Sequence, residues 1–499
     1  MAKATTGPVV IGIDIGTSSV KAVMTGPGGL RLGTYGAGYG TSRPVPGAAE
    51  QDPADWMRHV EAALAEFAGH PRAGDVVAIG VTSQVNTHVF CDEAGLPLGP
   101  AMTWQDTRPA TLSARLDAAI SPDAKIAALG APIPIDASHA LSRMAWRADT
   151  APDVWAKTAH VLLPKDYVIS RLTGQIAADP ISAVGLVGTD MKYADPILDL
   201  MPRAERVLPP LNDPLDIVGR VRSGQFFAGT PVCAGTMDAW AGMFGLGVAT
   251  EGTGFYLSGT SEVLGLVSED GSGAPGIVTF PPWRGIRLHA GPTQSGGASL
   301  AWLAQTLGTE VGQLADLAAQ APISAQVPLF LPHLEGERAP LWDAASRGAF
   351  AGMNGATGPA EMAAAVMEGV AFSARMAIDA VERSGGQTLS RLRYGGGGAA
   401  SATWGQIRAT ALGRTLDRVS STEVGAVGAA VMAGVAAGTL DNLGAAADAI
   451  VKVDRTFEPD PGATSLADER YAAYCDLNQA LGPINRKLAA ADANARSVA

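Results

Sequence analysis

The chain opens on a β-branched run, Val9-Val10-Ile11-Gly12-Ile13-Asp14. It is broken by Ile15-Gly16-Thr17-Ser18-Ser19 and resumes at Val20-Lys21-Ala22-Val23-Met24. Two apolar runs joined by a Gly/Ser/Thr turn predict a β-hairpin. Asp52 followed by Pro53 predicts a helix start, with Asp52 as N-cap and Pro53 in the first turn of a helix reaching about Phe67. Val76-Val77-Ala78-Ile79-Gly80-Val81 reads as a buried strand leading into Thr82-Ser83-Gln84-Val85-Asn86, and residues 160–172 read as strand, then helix. A second hairpin pattern begins near Gly254: Phe255-Tyr256-Leu257, a polar turn Ser258-Gly259-Thr260-Ser261, then Glu262-Val263-Leu264-Gly265-Leu266-Val267. This echo predicts two related halves, each opening on a turn able to hold phosphate. Helices are expected near 296–308, 359–383 and 402–414, and a strand ends in Gly395-Gly396-Gly397-Gly398. Such a mixture of strands and helices is α/β.

Composition bounds the organisation. A chain of 499 residues exceeds the roughly 250–300 residues over which one core grows, so two domains are expected. The boundary falls near Ala249–Thr253, giving 8–248 and 249–455, with 456–499 as a terminal helical extension. Hydrophobic residues at 47% and charged residues at 17% describe a folded protein. A net charge of −12 without a basic stripe excludes a nucleic-acid partner. The cysteines, Cys91, Cys233 and Cys475, show no CxxC spacing. They give neither a disulfide framework nor a zinc site, and the reading is a reducing cytoplasm. The first eight residues have no apolar h-region, so no signal peptide is expected. The longest apolar stretch, Val424 to Leu440, is broken by four glycines. It reads as a packed core helix rather than a membrane span of roughly 18–20 residues.

Four segments carry candidate chemistry. The Asp14–Ser19 turn points backbone N–H groups into one concavity, as anion sites require, and Asp14 could hold Mg²⁺ through water. The alternative is an ordinary hairpin turn. Ser258–Ser261 offers a second such turn, and the Gly395–Gly398 run lets a flat base and its α-phosphate approach the backbone. Asp238 sits among small and apolar residues, Ala234-Gly235-Thr236-Met237-Asp238-Ala239-Trp240. A carboxylate there pairs with a cation, caps a helix, or accepts the proton of a substrate hydroxyl. A Walker A loop and a GxGxxG following a strand are both missing from the sequence.

Together these segments resemble the FGGY family of carbohydrate kinases, within the actin-like ATPase superfamily. Ile11–Ser18 looks like the family's first phosphate motif. Glu50-Gln51-Asp52-Pro53, Leu162-Leu163-Pro164-Lys165-Asp166-Tyr167, Thr173-Gly174 and Ala178-Asp179 are similar to its xylulose kinase branch. Trp104-Gln105-Asp106-Thr107-Arg108 resembles the Trp-x-Asp-x-Arg substrate segment. Phe330-Leu331-Pro332, Gly336–Pro340, Glu368–Ala371 and Gly396–Ala399 resemble the second domain.

The resemblance implies two ribonuclease-H-like domains with ATP and sugar in an interdomain active-site cleft. It implies ATP and Mg²⁺ as cofactors, Asp238 as catalytic base, and Asp14 with Asp238 at the metal. It assigns substrate contacts to Gln84, Val85, Asn86, Trp104, Asp106 and Asp238. Nucleotide contacts go to Asp14, Gly16, Thr17, Ser18, Lys21, Gly259, Thr260, Gly397 and Gly398. Many relatives are dimers, which extends an expectation of a homodimer. The implied activity is phosphorylation of a terminal hydroxyl of a small keto-sugar of the D-xylulose kind. An alditol kinase is the alternative within the class, and a non-catalytic actin-like nucleotide-binding protein the alternative outside it.

The chain departs from the pattern at Gln84-Val85-Asn86, where xylulose kinases carry Gln-Met-His and glycerol kinases Gln-Arg-Glu. Further departures are Ala140, Arg143 in place of Lys, and Ala400 in place of Arg. His88, if on a strand with Asn86, would share its face.

Overall fold

The computed structural model describes residues 6–324 and 326–498. Residues 1–5, on which the signal-peptide expectation partly rests, lie outside them. The chain divides into two compact units, Met1–Gly247 with Glu423–Val451, and Val248–Thr422 with Lys452–Ala499.

The first unit holds, among the described residues, a six-stranded sheet in the order β3-β2-β1-β4-β6-β5. The strands are β1 (Val9–Ile15), β2 (Ser19–Thr25), β3 (Arg31–Gly38), β4 (Val76–Ser83), β5 (Ile217–Arg220) and β6 (Pro231–Cys233). β1 and β2 form the predicted hairpin, with Asp14 opposite Lys21. β4 runs parallel to both β1 and β6.

Alternation along β1 sorts its side chains. Val9, Ile11, Ile13 and Ile15 pack with Trp56, Val60 and Phe67 of the helix Pro53–Ala68. Asp52 caps that helix by accepting the Ala54 N–H at 2.9 Å, as expected. Val10 faces the other way, into a cluster with Ala426, Val427 and Ala430 of the helix Val424–Ala436, so Gly12 and Asp14 share that second face. A Cβ at Gly12 would overlap the Ala426 carbonyl, and one at Gly428 that of Ala241. Backbone therefore lies directly on backbone.

The second unit holds a seven-stranded sheet, among the described residues, in the order β9-β10-β8-β7-β11-β12-β13. These are β7 (Gly254–Ser258), β8 (Glu262–Val267), β9 (Val278–Thr279), β10 (Leu288–Pro292), β11 (Arg391–Gly395), β12 (Thr415–Val419) and β13 (Val453–Phe457). β8 and β10 are antiparallel neighbours, as are β2 and β3. β11 and β12 follow β7 in parallel, as β4 and β6 follow β1. An antiparallel strand closes each series. The repeat suggested by the two hairpins is thus a repeat of whole sheets. The helix Pro359–Gly385 covers the second sheet, placing Phe372, Ala377, Ile378 and Val381 against Tyr256 and Leu264.

The compact units differ from the expected boundaries in one place and add detail in another. Residues 423–451 belong to the first unit, because the glycine- and alanine-rich helix Val424–Ala436 is the partner of β1 rather than of the second sheet. Residues 456–499 do end in a helix, Thr464–Val498, which packs onto the second unit. β13 straddles position 455, Tyr474 of the helix Thr464–Val498 is buried in the second core, and Arg470 pairs with Glu368 at 2.5 Å. No helix among the described residues is long and apolar enough to cross a membrane.

Candidate active site

Asp14 is half-buried near the end of β1. Its Oδ1 is buried and makes no hydrogen bond, and a Cβ at Gly425 would overlap its Oδ2. Burial raises its pKa to about 7, the nearby charge of Asp238 adds to the rise, and Lys21 opposes it. Asp238 is the first residue of the helix Asp238–Gly245, and its Oδ1 accepts the Ala239 N–H at 2.8 Å. The helix N-terminus favours the anion there. Two neighbouring carboxylates thus have unlike environments. An unpartnered carboxylate oxygen beside a second carboxylate fits Mg²⁺, a hard cation that keeps water and phosphate oxygens as further ligands. Among the described residues no group of three or more His, Cys, Asp or Glu could hold a metal by itself.

The Gly16 turn closes by its N–H donating to the Ser19 carbonyl at 3.0 Å, and the Tyr39 hydroxyl donates to the Gly16 carbonyl. The Thr17 carbonyl accepts from Gln51 Nε2 at 2.7 Å, and its Oγ1 accepts from Trp104 Nε1 at 3.1 Å. Ser18 is exposed. Gln84 donates to Gln51 Oε1 at 2.8 Å, while its own buried Oε1 has no partner. Trp104 therefore reaches Thr17 directly, and Gln84 reaches it through Gln51.

Val85 and Asn86 form a bend and are half-buried. Asn86 is left-handed (φ 56°) and donates to Ser138 Oγ at 3.3 Å. Asn86 and His88 therefore do not share one strand. Even so, both residues line a cavity of about 30 Å³ that also reaches Asp166, Asp179 and Tyr193. His88 is held neutral, its pKa lowered by burial and by the charge of Arg143.

Asp106 is held by the protein itself. Its carboxylate is fully buried, accepts the Ala49 N–H at 3.0 Å and is gripped by Arg108 at 2.6 Å. Arg108 in turn reaches Glu50 at 2.6 Å. Asp106 thereby braces the segment that carries Trp104.

In the second unit, the Gly259 N–H donates to the Ser261 carbonyl at 2.9 Å. The Gly259 and Thr260 carbonyls accept from Gly297 and Ala298, at the start of the helix Gly297–Leu307. Within the glycine run, Gly396 (φ 92°) and Gly398 press on Ser258, where a Cβ at either would collide. Gly397 is exposed and faces open space. Beneath them lies a fully buried pair, Glu262 and Arg408. Ser258 Oγ donates to Glu262 at 3.0 Å and Tyr256 does so at 2.5 Å. Arg408 also donates to the Gly398 carbonyl at 3.1 Å and lies over the Trp404 ring. Both candidate phosphate turns of this unit thus share one buried ion pair.

Sequence reasoning quoted Gln51, Lys165 and Asp179 as motif residues without seeing what they do, and it missed Gly425, Glu262 and Arg408. Charged residues set into apolar runs were the available signal; their partners lie far away in the chain.

Comparisons with known proteins identify the family. The FGGY carbohydrate kinase N-terminal domain matches residues 9–245, and the C-terminal domain of the same family matches 254–437. The chain is 32% identical to the xylulose kinase of Escherichia coli, over 86% of this chain and 90% of that one. It is 29% identical to the glycerol kinase of Dechloromonas aromatica, over 95% and 96% respectively. In fold it resembles the ligand-bound xylulose kinase of Lactobacillus acidophilus, with a TM-score of 0.87, 22% identity, and coverage of 96% of this chain and 100% of that one. With both domains matched in order, the chain belongs to the FGGY family of carbohydrate kinases and is a sugar kinase.

Proposed function

We propose that the chain transfers the γ-phosphoryl group of ATP to a terminal hydroxyl of a small keto-sugar, a pentulose or hexulose of the D-xylulose kind. The observation that carries this reading is the pair of neighbouring carboxylates in unlike surroundings, one unpartnered at Asp14 and one at a helix start at Asp238. Asp238 accepts the proton of the attacking hydroxyl as its oxygen bonds to phosphorus and the bond from phosphorus to the ADP oxygen breaks. The sugar is assigned to Gln84, Val85, Asn86, Trp104 and Asp238. The nucleotide is assigned to Gly16, Thr17, Ser18, Lys21, Gly259, Thr260, Gly397 and Gly398. Mg²⁺ held through Asp14 and Asp238 would neutralise phosphate charge.

The names of the relatives in Escherichia coli and Lactobacillus acidophilus support a xylulose-like substrate. An alditol is the second reading, kept open by Gln84-Val85-Asn86, which matches neither the xylulose kinase nor the glycerol kinase form of that segment. A coupled ADP-release assay over D-xylulose, other ketoses, alditols and glycerol separates them. Ketose-stimulated turnover supports the first reading. Turnover stimulated by alditols alone replaces it with the second, and turnover that no sugar or polyol stimulates contradicts both.

A further inference from the structure

Close to the segment that delivers Asp238 lies a cluster of buried charges for which the proposed chemistry has no use. Lys165, Asp166 and Asp179 are 0%, 1% and 0% exposed. Lys165 Nζ lies 2.6 Å from Asp166 Oδ1 and 2.8 Å from Asp179 Oδ2. Burial disfavours its charge, but the two carboxylates more than offset this and hold it protonated. Taking three charges out of water is costly, and buried ion clusters are weak stabilisers. A cluster of this kind is better explained by the geometry it fixes.

Two of its contacts lead to one place. Asp179 Oδ1 accepts the Thr236 hydroxyl at 2.9 Å, and Lys165 Nζ donates to the Ala234 carbonyl at 3.2 Å. β4 holds the same segment as well: Thr82 Oγ1 donates to the Thr236 carbonyl at 2.6 Å, and Ser83 bridges Met237. Gly235, left-handed at φ 64°, lets the chain turn against the Val81 carbonyl, where a Cβ would collide. Residues 234–237 are thus fixed one after another, and the next residue is Asp238.

We propose that Thr236, Asp179 and Lys165 are positioning residues for Asp238, a hydroxyl–carboxylate–ammonium brace that sets where the base points. The proposal rests on the reading of Asp238 as base. Asp238 begins a helix of eight residues, so a small roll of the first turn displaces its carboxylate. A displacement of about 1 Å at a reacting group lowers rate by about 100-fold. A merely structural brace would lower stability without a selective effect on kcat.

The test compares Thr236→Val, which removes the hydroxyl at nearly constant shape, with Thr236→Ser, which restores it. The intact chain is assayed with D-xylulose, or with the ketose or alditol giving the highest rate where D-xylulose is inert. The expected result is a kcat lowered about 10- to 100-fold in Thr236→Val, sugar and ATP KM within about twofold, and recovery in Thr236→Ser. In an Asp238→Asn background, adding Thr236→Val should leave the residual rate unchanged. An unaltered kcat, a serine variant that fails to recover, or an equal loss in both backgrounds overturns the proposal. Should Thr236→Val not fold, Asp179→Asn keeps the volume of the cluster and must lower kcat at constant KM; an unaltered kcat there overturns it equally. Wild-type turnover in Asp238→Asn alone defeats the base reading and this proposal with it. An inactive Asp238→Asn beside an unaffected Thr236→Val defeats only the brace.

Discussion

Asp14 and Asp238 lie close enough that the charge of Asp238 adds to burial in holding the Asp14 carboxyl near pKa 7, against an ordinary 3.8, while Lys21 pulls the other way. The protein itself leaves Asp14 Oδ1 without a hydrogen-bond donor. The folded chain therefore stores an unfavourable interaction that a cation between the carboxylates would relieve.

That interaction has a sign in stability. Between pH 3.8 and about 7 the folded state holds the Asp14 proton more tightly than the unfolded chain does, so stability falls as pH rises through this window and stays low above it. Asp14→Asn removes the titration. In EDTA, the variant should melt above the wild type by a few degrees at about pH 8, and the gap should narrow towards about pH 5. Thermal melts at both pH values check it; a gap independent of pH would contradict the assignment.

Gly425 and Gly428 separate function from packing. A Cβ at Gly425 meets the Asp14 carboxylate, whereas one at Gly428 meets the Ala241 backbone. Gly425→Ala is expected to weaken Mg²⁺-dependent nucleotide binding and to lower turnover about tenfold or more, because it moves the carboxylate. Gly428→Ala is expected to destabilise by about 1–3 kcal/mol through overpacking. Urea unfolding alongside ATP titration distinguishes the two.

Glu262 and Arg408 give a third prediction. Each is fully buried, and each faces the other. Replacing one, as in Glu262→Gln or Arg408→Met, leaves a charge uncompensated at a cost of about 3–5 kcal/mol. Replacing both should recover most of that loss. Nucleotide affinity should stay reduced in the double variant, because Ser258 and Gly398 lose their common anchor. Calorimetric titration with ATP measures this, and full affinity in the double variant would show that the anchor is dispensable.

The hairpins, the Asp52-capped helix and the two-sheet repeat were legible in the sequence because each is written in neighbouring residues: alternating apolar positions, a glycine turn, an Asx-Pro start. The unit to which a helix belongs is not written locally. Val424–Ala436 reads as a buried helix in any context; it is close approaches from distant segments, such as those at Gly12, Gly245 and Gly428, that tie it to β1 and to the helix at Asp238. The acid pair was legible as two separate aspartates. Its closeness depends on β1 and on the start of the helix Asp238–Gly245, more than two hundred positions away in the chain. The bracing of Asp106 was not legible, because a motif names a residue without its partners. Arg108 and the Ala49 N–H hold its carboxylate, and Glu50 holds the Arg108 guanidinium in turn.

The most direct test of the account is the turnover of Asp238→Asn. The substitution keeps the shape of the side chain and removes its capacity to accept a proton at neutral pH. The account predicts sugar phosphorylation reduced by about a thousandfold or more, with ATP affinity within about twofold of the wild type. Turnover near the wild-type rate in a folded, ATP-binding Asp238→Asn protein would contradict it.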